Sequence, residues 1–413
     1  MLEILPKHQP VQERFRPHFS RTFFAFSIGA VALFSVGFLS GKLLTSKQFA
    51  TKIAQLDVKG TSEEKTFPLL KYSFSELEKR GGVASEIIVD RILTRTPEFT
   101  AYVFHFESEG RKISGQLNIP TNDNPAEARP IILLMRGYVA PEEYSIGKGS
   151  SPTAAALAKA GYITLAPDFL GYGESDQPPV ETLAERFIKP MNVMDLFATV
   201  DHLDQRTLAF QNKSLATIDA KRVGLWGHSN GGQISLSFLE ITGRPVPTVL
   251  LAPVTKFFPY SVLYFTDEDD DKGKGLRAVI AKFEQDYNID QFSIGNNLEH
   301  VTAKIQLHQG TADKEVPQKW SDDFYSYFAG KGKKDQIEYF TYPGADHLLI
   351  PVTDTVKERA IAFFDREVKN KKPEPTPTPT LTVTPTTSPA EILNATQSGD
   401  IKATPSATPG VNN

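Results

Sequence analysis

Lys221-Arg222-Val223-Gly224-Leu225-Trp226-Gly227-His228-Ser229-Asn230-Gly231-Gly232 is the stretch that decides the reading of this chain. Residues 223–226 form an apolar run of β type that stops at a glycine. Beyond Ser229 a helical pattern takes over across 233–240. Gly-x-Ser-x-Gly between a strand and a helix is the context of a nucleophile elbow. A serine there sits on a sharp, strained turn, so the residues two places away have to be small. Gly227 and Gly231 meet that need, because a β-carbon at either would strike the strand or helix packed beside it.

A serine hydroxyl is a poor nucleophile at neutral pH and needs a base, which in turn needs a carboxylate to orient it. In the α/β-hydrolase order the acid follows the serine and the histidine comes last. Three histidines follow Ser229: His300, His308 and His347. His300 closes an irregular region, and His308 lies inside an apolar strand, the setting of a structural histidine. His347 ends Tyr342-Pro343-Gly344-Ala345-Asp346-His347, a loop directly after a strand, where catalytic groups of open α/β sheets belong. It is the expected base. The expected acid is Asp313 in His308-Gln309-Gly310-Thr311-Ala312-Asp313-Lys314-Glu315-Val316-Pro317, with Glu315 as the fallback and a helix cap as the role Asp313 would otherwise have. Asp346 adjoins the histidine in sequence and is poorly placed to meet its ring. For the oxyanion, the backbone N–H of Asn230, the residue after the nucleophile, is one expected donor. The other is expected from Arg136-Gly137-Tyr138 after a strand ending at Met135, with the N–H of Tyr138 as donor or its ring as a pocket wall.

Gly-His-Ser-Asn-Gly-Gly, His-Gln-Gly-Thr-Ala-Asp-Lys-Glu-Val-Pro and Gly-Ala-Asp-His, in this order, resemble the three catalytic motifs of prolyl oligopeptidase-like α/β-hydrolases. Ala166-Pro167-Asp168-Phe169-Leu170-Gly171-Tyr172-Gly173-Glu174-Ser175 is similar to that family's strand-end segment. The resemblance spans about 86–368. It implies Ser229 as nucleophile, Asp313 as orienting acid and His347 as base. The stretch before 86 is too short for the β-propeller that restricts the larger peptidases to short peptides, and small esterases share the same motifs.

The rest of the chain agrees with that fold. Strand-like stretches at 86–93, 100–107 and 112–119, the last two joined by a Ser108-Glu109-Gly110 turn, suit an antiparallel sheet with one face covered. From 130 onward strands alternate with helical segments (153–159, about 190–205, 233–240, 317–328, 353–368), which predicts a mostly parallel, doubly wound sheet. Residues 253–299 separate two strands by far more than an ordinary connection and read as an inserted lid, about 254–300, rich in aromatic residues. Its acidic run, Asp267 to Asp271, lacks the spaced ligands of a calcium loop and reads as solvated.

The ends differ from this domain, expected at 66–370. Residues 22–44 are apolar with Lys42 as the single charge, long enough to cross a bilayer. Lys7, Arg14, Arg16 and Arg21 before them favour a cytoplasmic segment at 1–21. A cleaved signal peptide is the competing reading, and both put the domain outside the cytoplasm. Residues 45–65 read as a tether. Residues 371–413, rich in Pro, Thr and Ser, read as a disordered tail that bears on cell-wall contact. The chain has 413 residues, a formal charge of −4 and no cysteine. That excludes disulfides, a thiol nucleophile and cysteine-based zinc sites, and gives no sign of a nucleic-acid partner. The expectation is a membrane-anchored serine hydrolase that cleaves short peptides or aminoacyl derivatives. The alternative is a carboxylesterase acting on small or polysaccharide-linked esters, and neither needs a metal or organic cofactor.

Overall fold

Along the strand Ala128–Met135, Ile131, Leu133 and Met135 fall in one apolar core, while Ile132 and Leu134 fall in another. Successive side chains of a strand point to opposite faces, so a strand apolar at every position needs cover on both. The computed structural model, which describes residues 66–121, 124–266 and 271–370, supplies that cover. The segments read as cytoplasmic, membrane-crossing, tether and tail, and residues 267–270 of the acidic run, lie outside the described residues. Among the described residues no helix is long and apolar enough to cross a membrane.

The strands are β1 (Ile88–Arg95), β2 (Phe99–Ser108), β3 (Arg111–Pro120), β4 (Ala128–Met135), β5 (Ile163–Pro167), β6 (Thr207–Phe210), β7 (Lys213–His228), β8 (Thr248–Leu251), β9 (Ile305–Gly310) and β10 (Ile337–Tyr342). They form one sheet in the order β1-β2-β3-β5-β4-β7-β8-β9-β10, with β6 paired to β7. β1, β2 and β3 run antiparallel to their neighbours, and β5, β4, β7, β8, β9 and β10 run parallel. This is an α/β-hydrolase-like fold with a mostly parallel sheet. Glu109 and Gly110 both take positive φ (52° and 69°), the two-residue turn that matches hairpin twist.

The helices are α1 (Phe74–Arg80), α2 (Ser151–Lys159), α3 (Ala184–His202), α4 (Asn230–Thr242), α5 (Tyr260–Leu263), α6 (Lys274–Glu284), α7 (Gln318–Gly330) and α8 (Thr353–Phe364). Leu157 of α2 and Phe363 and Phe364 of α8 fill one face of the sheet; α1, α3, α4 and α7 cover the other. There Phe197 of α3 stacks on Phe238 of α4 with ring centroids 4.1 Å apart, a pairing worth about 0.5–1.5 kcal/mol beyond its burial.

Two elements differ from the sequence reading. The sequence pattern starts α3 at about Pro190, a residue that suits a first helical turn. The helix begins at Ala184 instead and carries Pro190 in its interior, because Ala184, Phe187 and Ile188 are buried in the core. β7 also begins well before Val223, forming a hairpin with β6 through Gln211 and Asn212 at φ 48° and 63°. That pair lacks the glycine which marks such turns in a sequence.

The long connection between β8 and β9 carries α5 and α6. It docks on α3 through Phe258, Phe283 and Phe292, whose rings lie 5.3, 5.4 and 4.8 Å from that of Phe187. Its far end is tied to α4 by Glu240, whose carboxyl oxygens accept from the N–H of Gly295 (2.9 Å) and of Asn297 (3.3 Å).

Candidate active site

β7 ends at His228 and α4 starts at Asn230, which leaves Ser229 alone on the turn at φ 54°, ψ −122°. Such a conformation costs a non-glycine residue of order 1–3 kcal/mol, and the surroundings hold it. The Ser229 N–H donates to the Leu251 carbonyl (2.9 Å), and the Ser229 carbonyl accepts from Gly232 (2.9 Å) and Val254 (3.1 Å). The close approach needs glycine on both sides. A β-carbon on Gly227 would lie 2.6 Å from Ser235 Oγ, and one on Gly231 would lie 2.0 Å from the Met135 carbonyl oxygen. Ser229 is the N-cap of α4, yet its hydroxyl makes no capping bond.

β9 and β10 are parallel neighbours paired Gly310 to Tyr342, so the loops that follow them emerge side by side. The Ala312 N–H donates to the Ala345 carbonyl (2.9 Å) and joins the two loops. A β-carbon on Gly310 would lie 2.3 Å from that same carbonyl oxygen. This brings His347 and Asp313 together: His347 Nδ1–H donates to Asp313 Oδ2 at 2.9 Å. A carboxylate only accepts, so Nδ1 carries a proton and Nε2 is the ring nitrogen turned away from Asp313. Asp313 has a buried side chain, which by itself pushes its pKa up. Bonds from His347 and from the backbone N–H of Val316 (2.8 Å) and Glu315 (2.9 Å) outweigh this and hold the carboxyl below the usual carboxylate range.

The other sequence candidates sit elsewhere. Glu315 Oε2 approaches His347 at Nε2, 3.6 Å away, from a side chain 69% exposed. Asp346 Oδ1 accepts from the backbone N–H of Leu348 (3.0 Å) and Ile350 (2.9 Å), folding the loop without touching the ring. His308 is fully buried, bonded to Tyr342 Oη (2.8 Å) and Gln306 Oε1 (2.9 Å), and burial pushes its pKa down to about 3. It is a satisfied core histidine. His300 ends the short Leu298–His300 turn, in the connection between β8 and β9.

Gly137 lies directly over the elbow, where a β-carbon would come 3.1 Å from both Ser229 Cβ and His228 Nδ1. Its carbonyl accepts from Arg136 Nη1 (2.9 Å). In a trans peptide the carbonyl and the following N–H point in opposite directions, so the N–H of Tyr138 is turned away from the guanidinium. The Tyr138 ring is 73% exposed.

Ser229, Asn230, Gly137, Tyr138 and His347 all line one cavity of about 780 Å³. Phe258, Phe265, Phe292 and Ile294 from the long β8–β9 connection close part of its wall, and Tyr72 and Phe74 from the N-terminal side close another. Mixed apolar walls with a few converging polar groups are typical of small-molecule sites.

A model of the prolyl oligopeptidase family matches residues 149–371, over half of the chain. The chain belongs to the prolyl oligopeptidase family. It is a serine hydrolase of the α/β-hydrolase type. Among solved structures, the acetyl xylan esterase from Paenibacillus sp. R4 is similar over 70% of this chain and 91% of its own, at 18% identity and a TM-score of 0.51. That likeness shows the fold. Acetyl xylan esterase 1 from Thermoanaerobacterium sp. JW/SL YS485 matches over 70% and 93% at 17% identity and a TM-score of 0.46. A search of curated proteins finds no match.

In this prolyl oligopeptidase family member three positioning side chains escape a reading of the sequence. Gln309 Nε2 donates to Asp313 Oδ2 (3.0 Å) from a fully buried position. The ring of His228, inside the elbow itself, donates from Nε2 to the carbonyl of His347 (3.1 Å). Burial first, then the neighbouring His347, pulls the His228 pKa down to about 4, so that ring is neutral. Arg136 is caged by Tyr172 and Tyr144, whose ring centroids lie 4.0 and 4.5 Å from its guanidinium carbon. The His228 signal lay in the elbow motif and Gln309 lies four residues before Asp313, while Arg136 depends on Asp168 and Tyr172, more than thirty residues on.

Proposed function

We propose that the chain hydrolyses short peptides or aminoacyl derivatives through an acyl-enzyme on Ser229, with His347 as general base and Asp313 as its orienting acid. The observation that carries this is the 2.9 Å bond from His347 Nδ1–H to Asp313 beside a cavity that Ser229 also lines. In the first step Ser229 Oγ attacks the scissile carbonyl carbon while its proton passes to His347 Nε2. Asp313, held ionised, offsets the positive charge that the ring acquires. The oxyanion is received by the backbone N–H groups of Asn230 and Tyr138. Collapse breaks the bond to the leaving group, which takes the proton from Nε2. Water then repeats the sequence on the acyl-enzyme and frees Ser229.

A second reading is a carboxylesterase. The aromatic wall of Tyr72, Phe74, Phe258, Phe265 and Phe292 accommodates an ester's acyl chain as readily as a peptide side chain. Ester hydrolysis is also named for the solved proteins that share the fold. The apolar run at 22–44 with basic residues before it supports an anchor with the catalytic domain outside the cytoplasm, and the Pro/Thr-rich tail suits contact with a cell wall.

A fluorophosphonate should label the protein, and Ser229→Ala should abolish both labelling and turnover, the latter by roughly a million-fold. Retained turnover in Ser229→Ala would overturn the assignment. Turnover of matched aminoacyl amides and esters separates the two readings, with activity on esters alone favouring the second.

A further inference from the structure

Helix α3 presents Arg186 and, one turn on, Lys189 to the cavity that contains Ser229. Lys189 has its own anion, Glu185 Oε1 at 3.2 Å. Glu315, the other carboxylate on the lining, lies beside His347 with its side chain mostly exposed. Arg186 is different. Its partners among the described residues are neutral: Nη2 donates to Gln233 Oε1 (2.5 Å) and Ser261 Oγ (3.3 Å), and the guanidinium carbon lies 5.5 Å from the Phe258 ring centroid. Among the described residues no carboxylate pairs with it, and its Nε and Nη1 donors have no acceptor.

A guanidinium carries five N–H donors in a rigid fork that matches a carboxylate edge to edge. Here one nitrogen is fastened to the protein and the rest of the fork is left to the cavity. Burial draws the Arg186 pKa down to about 10, so it stays charged at neutral pH. Holding an unpaired cation in a partly apolar wall is unfavourable unless an anion arrives to meet it. Lys189 cannot substitute, because Glu185 already neutralises it.

The place of Arg186 relative to the nucleophile follows from Gln233. That residue lies four positions after Ser229 in α4, on the same face and about 6 Å along the axis. A leaving group has to rest against His347, which returns its proton. The part of the substrate that reaches Gln233 and Arg186 is therefore the acyl chain.

We propose that Arg186 anchors a carboxylate at the far end of the substrate's acyl chain. On this assignment the enzyme acts on hemiesters or amides of dicarboxylic acids, an acidic side chain on the acyl side of a peptide bond included. The proposal rests on Ser229 being the nucleophile. It holds for either leaving group, since activated aryl esters report the acyl-chain preference of both readings.

The test compares kcat/KM for the 4-nitrophenyl hemiester of glutaric acid with that for 4-nitrophenyl valerate, an acyl chain of the same length without the carboxylate. The wild-type ratio should favour the hemiester. Arg186→Met should lower that ratio by roughly tenfold to a hundredfold, the scale of a hydrogen bond to a charged group, mostly through KM. Arg186→Lys, which keeps the charge and loses the fork, should retain part of the preference. A ratio unchanged in Arg186→Met, even with both rates reduced, would mean a brace for Gln233 and overturn the proposal. The wild-type protein supplies a check that needs no variant. Glutaramic acid, which keeps one carboxylate beyond its amide, should protect Ser229 from a fluorophosphonate better than glutaramide, the neutral diamide, and equal protection would also overturn it. Failure of the wild-type protein to label at all would instead overturn the Ser229 reading beneath it.

Discussion

Arg136 shows how one side chain outside the proposed triad fixes the backbone beside it. Its Nη1 fastens the carbonyl of Gly137 and its Nη2 donates to the carbonyl of Asp168 at 2.7 Å, while Tyr144, Tyr172 and Phe169 surround the guanidinium. The Asp168 carboxyl is buried, which raises its pKa, and accepts from Ser114 Oγ (2.6 Å) and Tyr144 Oη (2.5 Å), fixing one wall of the cage. The peptide that ends in the Tyr138 N–H is thus held at its carbonyl. Without that bond the peptide can rotate and withdraw the N–H proposed as an oxyanion donor. Arg136→Met, close in length but without donors, should lower kcat by about a hundred- to a thousand-fold, the range for a lost oxyanion donor, with little change in KM. Steady-state kinetics on an activated ester measures this; a change confined to KM would assign Arg136 to substrate binding instead.

At the scale of elements, the site is made by what strand ends leave room for. α4 can begin against the end of β4 because Gly231 has no side chain: a β-carbon there would sit 2.0 Å from the Met135 carbonyl oxygen and 2.5 Å from that of Arg136. Backbone atoms cannot step aside as a side chain can. Gly231→Ala should therefore cost about 1–3 kcal/mol by overpacking and displace the elbow, so that thermal melting and Ser229 labelling fall together. Gly330, the last residue of α7, has open space at its β-carbon position. Gly330→Ala should leave labelling intact and raise stability by up to about 1 kcal/mol. Equal tolerance at the two positions would refute the role given to Gly231.

On the scale of the whole molecule, His228, His308 and Glu240 each make stability vary with pH. His228 and His308 have folded pKa values of about 4 and about 3, both lowered first by burial from 6.5. The unfolded chain takes up those protons first, so stability falls as pH drops below 6.5. Glu240 acts in the opposite direction. Burial raises its pKa from 4.5 to about 8, so the unfolded chain ionises first and stability is lost as pH rises from 4.5 toward 8. Below 6.5 the two histidines outweigh the single acid, and above 6.5 only the acid remains. Together these groups give maximal stability near pH 6.5, measured by denaturant melts across pH. Glu240→Gln should remove the alkaline decline and move the maximum upward. A wild-type profile flat from pH 6.5 to 8 would show that Glu240 is not held protonated. Because Glu240 accepts from Gly295 and Asn297, its state also bears on how the β8–β9 connection is fastened over the cavity.

Much of this was legible in the chain itself, for a physical reason. The elbow is a local object: a strand, a turn too tight for β-carbons, and a helix, all within the twelve residues from Lys221 to Gly232. Apolar alternation in the strands is local as well and determined the fold class, and the length of the β8–β9 connection marked it out from the sequence. Asp313 and His347 could be nominated because each sits where a strand gives way to a loop. Tertiary structure decided the remainder. Asp313 meets the ring because β9 and β10 are parallel neighbours in register, while Glu315, two residues on, swings to the other ring nitrogen. The start of α3 escaped the sequence reading because proline's local preference yielded to burial of Ala184, Phe187 and Ile188. With it went Arg186, which in a sequence is one more charged residue on a helix. Its meaning comes from Gln233 and Ser261, its neutral partners among the described residues, and contacts between residues so far apart in the chain exist only once it has folded.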